Sequence, residues 1–209
     1  MATAPKTVKI ARGNELLQEH SLEDFRRITG VEYIKHIEFH DEKIRKKVMK
    51  SYPKFLASGT IAKNAKWQGT MFSEDLRKGA VADICIRWIN DAVGFGVYAE
   101  NDIAAGDYIG EYTGIVRRRS MLSLNINGYC FNYPSKPWKL KSYMIDASRS
   151  GNHTRFINHS DTPNIAPSYA LYDDIVHIIF TATKTIPMGT QLTLNYGKDY
   201  WRKRIKVKI

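Results

Sequence analysis

The chain has 209 residues, of which 43% are hydrophobic and 25% are charged, and its net charge is +11. This composition is ordinary for a globular protein, allows one substantial core and argues against disorder. The positive charge favours acidic partners, or a substrate that nucleic acid brings along. No apolar run approaches the roughly 20 residues of a membrane-spanning helix, and residues 1–10 lack the apolar stretch of a secretory signal. We therefore expect a soluble intracellular protein that does not enter a membrane.

Residues 1–80 are predicted to form a helical N-terminal region. Ser21 followed by acidic residues is typical of a helix start, and Gly30 is a suitable stop. Between them, Leu22, Phe25 and Ile28 share one helix face. The pattern predicts a first helix from about residue 21 to residue 30.

A second helix is predicted over residues 39–52. Ile44, Val48 and Tyr52 recur every four residues. Pro53 should end the helix, because proline lacks the amide hydrogen that a helix interior requires. The remaining surface would be either a solvated face or a surface for an acidic partner. Its basic residues are Lys43, Arg45, Lys46, Lys47 and Lys50.

The pattern changes after residue 80. Short apolar runs separated by Gly, Asn, Asp and Pro predict strands at residues 84–88, 96–99, 108–116 and 175–182. No regular helices separate these runs, which argues against a parallel α/β sheet and a dinucleotide-binding domain. We assign residues 81–200 to one β-rich domain and residues 201–209 to a basic C-terminal tail.

Cysteine usage narrows the class of protein. The chain holds only Cys85 and Cys130. Two cysteines cannot build a disulfide framework, and a zinc site made of cysteines would need ligands from outside the chain. Free cysteines are among the residues most often buried. We predict two buried free thiols and no bound metal.

A polar run at residues 158–161 (Asn-His-Ser-Asp) is unsuited to an apolar core. Four adjacent hydrogen-bonding side chains would each need a partner after losing water, so the run predicts a polar pocket. Upstream, Gly94 and Gly96 would let the backbone approach a ligand closely, although a tight turn explains two such glycines equally well.

Five motifs in a fixed order resemble those of SET-domain protein lysine methyltransferases. The resemblance covers residues 84–200, just over half of the chain. The compact size and the lack of cysteine-rich flanks are most similar to the short stand-alone SET proteins of bacteria such as chlamydiae. The motifs are Gly94-x-Gly96; Glu111-Tyr112-x-Gly114; residues 143–147 (Tyr-Met-Ile-Asp-Ala); Gly151-Asn152-x3-Phe156-x-Asn158-His159-Ser160-x2-Pro163-Asn164; and Gly189-x-Gln191-Leu192-Thr193-x2-Tyr196-Gly197.

The resemblance implies a mainly β fold with helices, of the β-clip or SET type, in which small β-sheets surround a pseudoknot. The segments that carry His159 and Tyr196 would pass each other there, a threading that is rare in proteins. The resemblance also implies S-adenosylmethionine as the methyl donor in one cleft, with a channel for the substrate lysine that opens on the opposite face.

Individual residues receive roles from the same resemblance. Tyr196 corresponds to the catalytic tyrosine, while Tyr112 and Tyr129 would line the lysine channel. For His159, a structural role in the pseudoknot is an alternative that does not exclude contact with the cofactor. The implied cofactor-binding residues are Gly94, Phe95, Gly96, Tyr143, Phe156, Asn158, His159 and Tyr196.

The chain departs from the family at the zinc-binding positions. Asp161 stands where many members have cysteine, and no cysteine follows Tyr196. The channel must then be completed without zinc, by Tyr200, by Trp201 or by a partner subunit in a homodimer. Leu194 occupies a position where an aromatic residue often sets the number of methyl groups, so that number stays open.

Two functions are consistent with these features. The leading hypothesis is a protein lysine N-methyltransferase that acts on histone or histone-like basic proteins and associates weakly with DNA. The alternative is a catalytically weak SET scaffold that binds nucleic acid or chromatin. A chain of charge +11 should repel a basic substrate, unless acids such as Asp173 and Asp174 line a local groove or DNA brings both together. We expect it in the bacterial cytoplasm, or in a host nucleus as a secreted effector.

Overall fold

The computed structural model describes residues 2–12, 15–57, 59–119, 127–134 and 143–201. Of the predicted basic tail at 201–209, only Trp201 lies within these ranges. No helix in the described ranges is both long and apolar enough to cross a membrane. The prediction of a mainly β fold with some helices is confirmed.

Strands outnumber helices throughout the described chain. The strands are β1 (Thr7–Ala11), β2 (Gln18–Ser21), β3 (Glu32–Tyr33), β4 (Glu38–Phe39), β5 (Ile84–Asn90), β6 (Gly94–Ala99), β7 (Tyr108–Glu111), β8 (Ile115–Arg118), β9 (Cys130–Tyr133), β10 (Tyr143–Asp146), β11 (Ser150–Gly151), β12 (Asn158–His159), β13 (Ile165–Tyr172), β14 (Ile175–Ala182) and β15 (Gln191–Leu194). The helices are α1 (Leu22–Thr29), α2 (Glu42–Leu56), α3 (Thr60–Met71), α4 (Ser73–Lys78) and α5 (Lys198–Trp201), and a 3-10 helix spans His153–Phe156.

These strands form four small sheets. The largest has the order β12-β15-β6-β5-β1-β2, and the others have the orders β4-β8-β10-β9, β13-β14-β7 and β11-β3. In the largest sheet, β5 and β6 are antiparallel, whereas β12 runs parallel to β15. The β12–β15 pair places Asn158 opposite Thr193 and His159 opposite Leu194, so the polar run at residues 158–161 lies beside the motif that contains Tyr196. The threading of a pseudoknot stays a prediction.

The N-terminal region contains the predicted helices but also strands that the sequence analysis did not predict. It contains β1 to β4 as well as four helices. β1 runs parallel to β5, with Ile10 opposite Ile86, and β4 runs parallel to β8. Val8 and Ile10 are buried in the same core cluster as Ile86. A strand of five residues gains its stability from such distant pairing, which local sequence does not reveal.

The two predicted N-terminal helices are present, but the second is longer than expected. α1 begins after Ser21, whose Oγ accepts a hydrogen bond from the Asp24 amide at 3.0 Å, and ends at Gly30 with φ of 73°. α2 continues through Pro53 to Leu56. Burial of Ile44 and Val48 holds α2 against the core, and this packing outweighs the hydrogen bond that proline removes.

The predicted strands of the β-rich domain are confirmed with one exception. The run at 108–116 is divided into β7 and β8. At Gly114, a Cβ atom would lie 2.7 Å from the Asp146 carbonyl oxygen, so only glycine fits this close approach. Of the two thiols, Cys85 is buried but Cys130 is only partly buried, which corrects the prediction for Cys130.

Candidate active site

A glycine-containing strand and a polar strand meet at one edge of the largest sheet. Gly94 has φ of 78°, a conformation that favours glycine. The Asn158 side-chain amide donates to the Phe95 carbonyl oxygen at 3.0 Å. A Cβ atom at Gly96 would lie 2.7 Å from Gln191 Nε2 and 3.1 Å from Asn158 Nδ2. The missing side chain at residue 96 therefore lets two amide side chains pack directly on β6.

An aromatic layer supports this edge. The ring of Phe95 lies 4.9 Å from that of Trp88 and 5.6 Å from that of Phe156, both in edge-on geometry. Phe156 in turn lies 6.0 Å from Phe25, which is fully buried in α1. Such pairs favour fixed ring orientations. Helix α1 thus helps to hold Phe95 and Phe156 in place.

His159 connects the polar run to Tyr196. The Tyr196 amide donates to His159 Nδ1 at 3.1 Å, so Nδ1 carries no proton and Nε2 does. Nε2 lies 3.2 Å from an oxygen of Asp161 and donates to it. Asp161 thus fixes the orientation of the imidazole. These bonds support the structural role considered for His159.

The hydroxyl groups of Tyr196 and Tyr112 have the same arrangement. Tyr196 donates to the Ile157 carbonyl oxygen at 2.6 Å, and Tyr112 donates to the Tyr129 carbonyl oxygen at 2.7 Å. Burial raises the pKa of both phenols, so both stay neutral at physiological pH. Because each hydroxyl hydrogen is already used in a hydrogen bond to a carbonyl oxygen, each phenol oxygen has only its lone pairs left and can act as an acceptor.

Arg155 is a buried cation among these tyrosines. Its Nε donates to the Ala147 carbonyl oxygen at 2.7 Å. Its guanidinium lies 4.0 Å from the centre of the Tyr129 ring and 4.5 Å from that of Phe156. Burial lowers the pKa of Arg155, which is still far above neutral. The positive charge of Arg155 is close enough to lower the otherwise raised pKa values of Tyr112 and Tyr196.

An aromatic cluster closes over Tyr196 from the C-terminal side. The Tyr200 ring lies 4.6 Å from the Tyr196 ring, and the Trp201 ring stacks on Tyr196 at 6.1 Å with an interplanar angle of 11°. Trp201 also lies 4.8 Å from the His159 ring. Both residues belong to the short helix α5. Their role in completing a lysine channel stays a prediction.

Comparison with known proteins identifies the domain that carries this geometry. The SET domain family matches residues 94–197. The chain contains a SET domain. The match begins at Gly94, the first residue of β6, and ends one residue after Tyr196. It therefore includes both the β6 edge with Asn158 and the tyrosine cluster around Tyr196.

Relatives of this SET domain are much longer proteins. The chain is 32% identical over 118 residues to histone-lysine N-methyltransferase EZH2 of Chaetomium thermophilum, covering 53% of this chain and 8% of the relative. It is 33% identical over 114 residues to human histone-lysine N-methyltransferase EHMT1, covering 52% of this chain and 9% of the relative. The chain thus spans about a tenth or less of these two proteins.

A solved structure has the same SET fold. The crystal structure of the Chaetomium thermophilum polycomb repressive complex 2 matches with a TM-score of 0.52 and 28% sequence identity, over 63% of this chain and 17% of that chain. With the domain match, this likeness confirms the predicted SET fold. The bacterial subclass receives no support from it.

The SET domain brings together most of the residues that the motifs predicted. Gly94, Phe95, Gly96, Phe156, Asn158, His159 and Tyr196 form one connected set of contacts, and Tyr112 and Tyr129 meet at a hydrogen bond beside Arg155. Tyr143 is placed differently. It is buried in β10, opposite Tyr133 and Arg118, and its contact with a cofactor stays a prediction.

The SET domain offers unmet hydrogen-bonding capacity where a cofactor would bind. Gln191 Nε2 is buried beside Gly96 and has no hydrogen-bond partner among the described residues. A buried donor without a partner is costly, so a ligand acceptor at this edge would be favoured. The residues present therefore fit a polar cofactor. Within the described ranges, no three His, Cys, Asp or Glu side chains group closely enough to hold a metal ion.

Arg155 is the site residue that motif reading missed. It lies directly before Phe156 in a quoted motif, but arginine is rarely buried without a carboxylate. Here a carbonyl oxygen and two aromatic rings replace the carboxylate. Ala147 and Tyr129 come from other segments of the chain, so the position of Arg155 beside Phe156 in the motif was the only local signal.

Proposed function

We propose that the protein is an S-adenosylmethionine-dependent protein lysine N-methyltransferase. The observation that carries the proposal is the pair of neutral tyrosines, buried Tyr112 and partly buried Tyr196, whose hydroxyl groups both donate to backbone carbonyl oxygens and so present lone pairs as acceptors. The names of the two relatives, both histone-lysine N-methyltransferases, support the same reaction class.

The substrate lysine must be neutral before its nitrogen can accept a methyl group, yet a free lysine titrates near pH 10.4. Burial among aromatic rings disfavours the ammonium form. The buried charge of Arg155 disfavours it further, because like charges repel. This pocket therefore lowers the pKa of an entering lysine.

The tyrosines orient the amine after it loses its proton. The phenol oxygens of Tyr112 and Tyr196 accept hydrogen bonds from the N–H groups of the substrate amine, because their own hydroxyl hydrogens are donated to carbonyl oxygens. The nitrogen lone pair is then free to point away from both tyrosines. Positioning of this kind contributes on the order of 7 to 11 kcal/mol to a two-reactant step.

The cofactor would bind along the glycine strand. The predicted contacts are the backbone of Gly94, Phe95 and Gly96, the side chains of Asn158 and Phe156, and the His159 segment; Tyr143 and Tyr196 complete the predicted set. When bound, S-adenosylmethionine supplies a methyl group on a positively charged sulfur. The rings of Tyr200 and Trp201 contact that of Tyr196 and would complete the channel without zinc.

The proposed substrate is a histone or histone-like basic protein. Asp173 and Asp174 form the tip of the β13–β14 hairpin, with φ of 47° and 57°. They line an open cleft of about 410 Å³ together with Tyr52 and Tyr172. A cleft with two carboxylates and two aromatic rings suits a lysine or arginine side chain. Weak DNA association, a homodimer and a bacterial or host-nuclear location belong to the same proposal.

The decisive experiment measures transfer of labelled methyl groups from S-adenosylmethionine to core histones. Tyr196→Phe should reduce transfer at least about 100-fold, because the amine loses one orienting acceptor. Cofactor binding measured by calorimetry should change less than about 3-fold. Tyr98→Phe is the matched control, since Tyr98 lies on β6 beneath Arg87, away from the tyrosine pair.

Each outcome has a clear meaning. Unchanged transfer in Tyr196→Phe would remove Tyr196 from the reaction. Absence of transfer to histones, to other basic proteins and to the protein itself would favour the alternative, a SET scaffold that binds nucleic acid or chromatin. Mass spectrometry of the modified histone would then identify the target lysine and the number of methyl groups.

A further inference from the structure

The positive charge of the protein is concentrated outside its SET domain. Residues 72–201 hold thirteen Lys and Arg and thirteen Asp and Glu, so this part of the chain is neutral. Residues 42–71 hold eight basic residues and one acidic residue, a net charge of +7. The segment corresponds to α2 and α3. Residues 42–71 therefore account for +7 of the net charge of +11 of the whole chain.

Helix α2 presents its lysines on one face. Ile44, Val48 and Ser51 are buried on a neighbouring face, about 110° around the helix from the lysines at 3.6 residues per turn. The exposed row, which we call the lysine stripe, runs about 16 Å along the helix at a rise of about 1.5 Å per residue. The lysine stripe consists of Lys43, Lys46, Lys47, Lys50 and Lys54, at helical spacings of three, four, seven and eleven residues from Lys43.

The lysine stripe has no partner within the described part of the protein. The acid of α2, Glu42, lies 3.9 Å from Arg45, which is outside the stripe. No ion pair joins any of the five stripe lysines to a described carboxylate. Five unpaired like charges on one helix repel each other. An external polyanion would relieve that repulsion.

Helix α3 extends the basic surface. Ala62, Ala65 and Gly69 lie against the protein, and a Cβ atom at Gly69 would lie 1.9 Å from the Leu171 carbonyl oxygen. The helix is therefore packed flat on β13. Lys63 and Trp67 point away from that contact, and Trp67 is 58% exposed.

We propose that the lysine stripe and α3 bind duplex DNA. A duplex carries about one negative charge per 1.7 Å of its axis, so a straight row of lysines about 16 Å long matches several phosphates. A membrane surface fits less well, because a helix that lies in a bilayer inserts its apolar face, and the apolar face of α2 is buried in the core. Since the SET domain is neutral, it does not repel a basic protein carried on the same DNA.

The test compares two full-length variants of equal net charge. K46Q/K47Q/K50Q removes three lysines of the stripe, and K6Q/R149Q/K184Q removes three exposed basic residues elsewhere. Binding to a 20-base-pair duplex is measured by fluorescence anisotropy at several salt concentrations. We expect the stripe variant to weaken binding at least about 10-fold and to reduce the salt slope by about two to three. The control variant should change affinity less than about 3-fold.

Three results would overturn the proposal. One is equal weakening by both variants, which would indicate a simple effect of net charge. Another is loss of binding only when the five basic residues of 202–209 are replaced by glutamine. The third is tighter binding of anionic phospholipid vesicles, or of single-stranded RNA, than of the duplex. Tyr196→Phe should bind DNA normally, so a failure of methyl transfer and a failure of DNA binding are separate results.

Discussion

The SET domain and the helices α2 and α3 use charge in opposite ways. In the SET domain, buried charged groups have defined partners, as Arg155 does with the Tyr129 ring and Glu111 with His177. In α2 and α3, exposed lysines have no described carboxylate partners. Charges with internal partners shape a rigid pocket, whereas charges without them remain available to an external molecule.

The contrast also explains how a basic protein could act on a basic substrate. Residues 72–201, which contain the SET domain, carry no net charge, and the β13–β14 hairpin tip presents Asp173 and Asp174 to an open cleft. Most of the net positive charge of the chain lies instead in α2 and α3. When charge is distributed this unevenly, the net charge of the whole chain does not predict whether a given surface attracts or repels a basic substrate.

The largest effect is expected from the buried pair in the SET domain. Glu111 Oε1 lies 2.5 Å from His177 Nδ1, and Glu111 is 1% exposed. Although burial lowers the pKa of His177, the carboxylate outweighs this effect and raises it. Glu111→Gln should lower the free energy of unfolding at pH 7 by about 3 to 5 kcal/mol, because the imidazolium loses its counter-charge.

Urea denaturation measures this change. The matched control is Glu100→Gln, since Glu100 pairs with Arg87 at 3.6 Å near the surface and should cost less than about 1 kcal/mol. If both variants lost the same free energy of unfolding, burial of the Glu111–His177 pair would not make it more important for stability than the more exposed Glu100–Arg87 pair.

The second effect concerns the junction between the two regions. Gly69→Ala should favour the helix by about 1 kcal/mol in isolation. In the protein it should instead cost about 3 kcal/mol, because the new methyl group would clash with the Leu171 carbonyl at 1.9 Å. Asn64→Ala is the control, since Asn64 is exposed on the same helix and alanine favours a helix. A thermal melt in which Gly69→Ala is as stable as the unmodified protein would show that α3 can move away from β13.

Local signals were sufficient for parts of this architecture. The Ser21 cap and the Gly30 stop of α1 involve residues within one helix, and the apolar run of β14 is complete in itself. β1 was missed because its stability depends on β5, more than seventy residues away. The predicted end of the second helix at Pro53 was wrong, because the packing of α2 against the core outweighs the tendency of proline to end a helix.

The candidate site divides in the same way. Tyr196, Asn158 and His159 were found because their motif order is specific, and the structure connects them. Arg155 was missed because its burial depends on Ala147 and Tyr129 from other segments. Sequence motifs therefore located residues that the fold brings together, while the electrostatic surroundings of those residues could be seen only in the fold.

The third effect is a dependence of stability on pH. Burial lowers the pKa of His153 from 6.5 to about 4, and its Nδ1 lies 3.1 Å from the Tyr33 hydroxyl of the N-terminal region. The unfolded chain therefore binds more protons than the folded chain between these values. Stability should fall by on the order of 3 kcal/mol as pH decreases from 6.5 to 4.

Denaturation at pH 7, 5.5 and 4 isolates this contribution. His153→Gln should show a smaller loss of stability between pH 6.5 and 4 than the unmodified protein. His36→Gln, which changes an exposed histidine, should retain the full loss. If His153→Gln has the same pH profile as the unmodified protein, the acid sensitivity arises from the carboxylates instead.

The smallest effect tests whether the N-terminal region supports stability without taking part in the reaction. Ser21→Ala removes the cap of α1 and should lower the free energy of unfolding by about 1 kcal/mol. Ser73→Ala is the control, because Ser73 starts α4 without serving as its cap and should cost less than about 0.5 kcal/mol. Methyl transfer at 25 °C should be unchanged in both variants, since the contact of α1 with the site is the packing of buried Phe25 on Phe156, which neither variant changes. A loss of methyl transfer in Ser21→Ala but not in Ser73→Ala would mean that α1 sets the position of Phe156. The N-terminal region would then take part in the reaction as well as in stability, through the contact of Phe25 with Phe156.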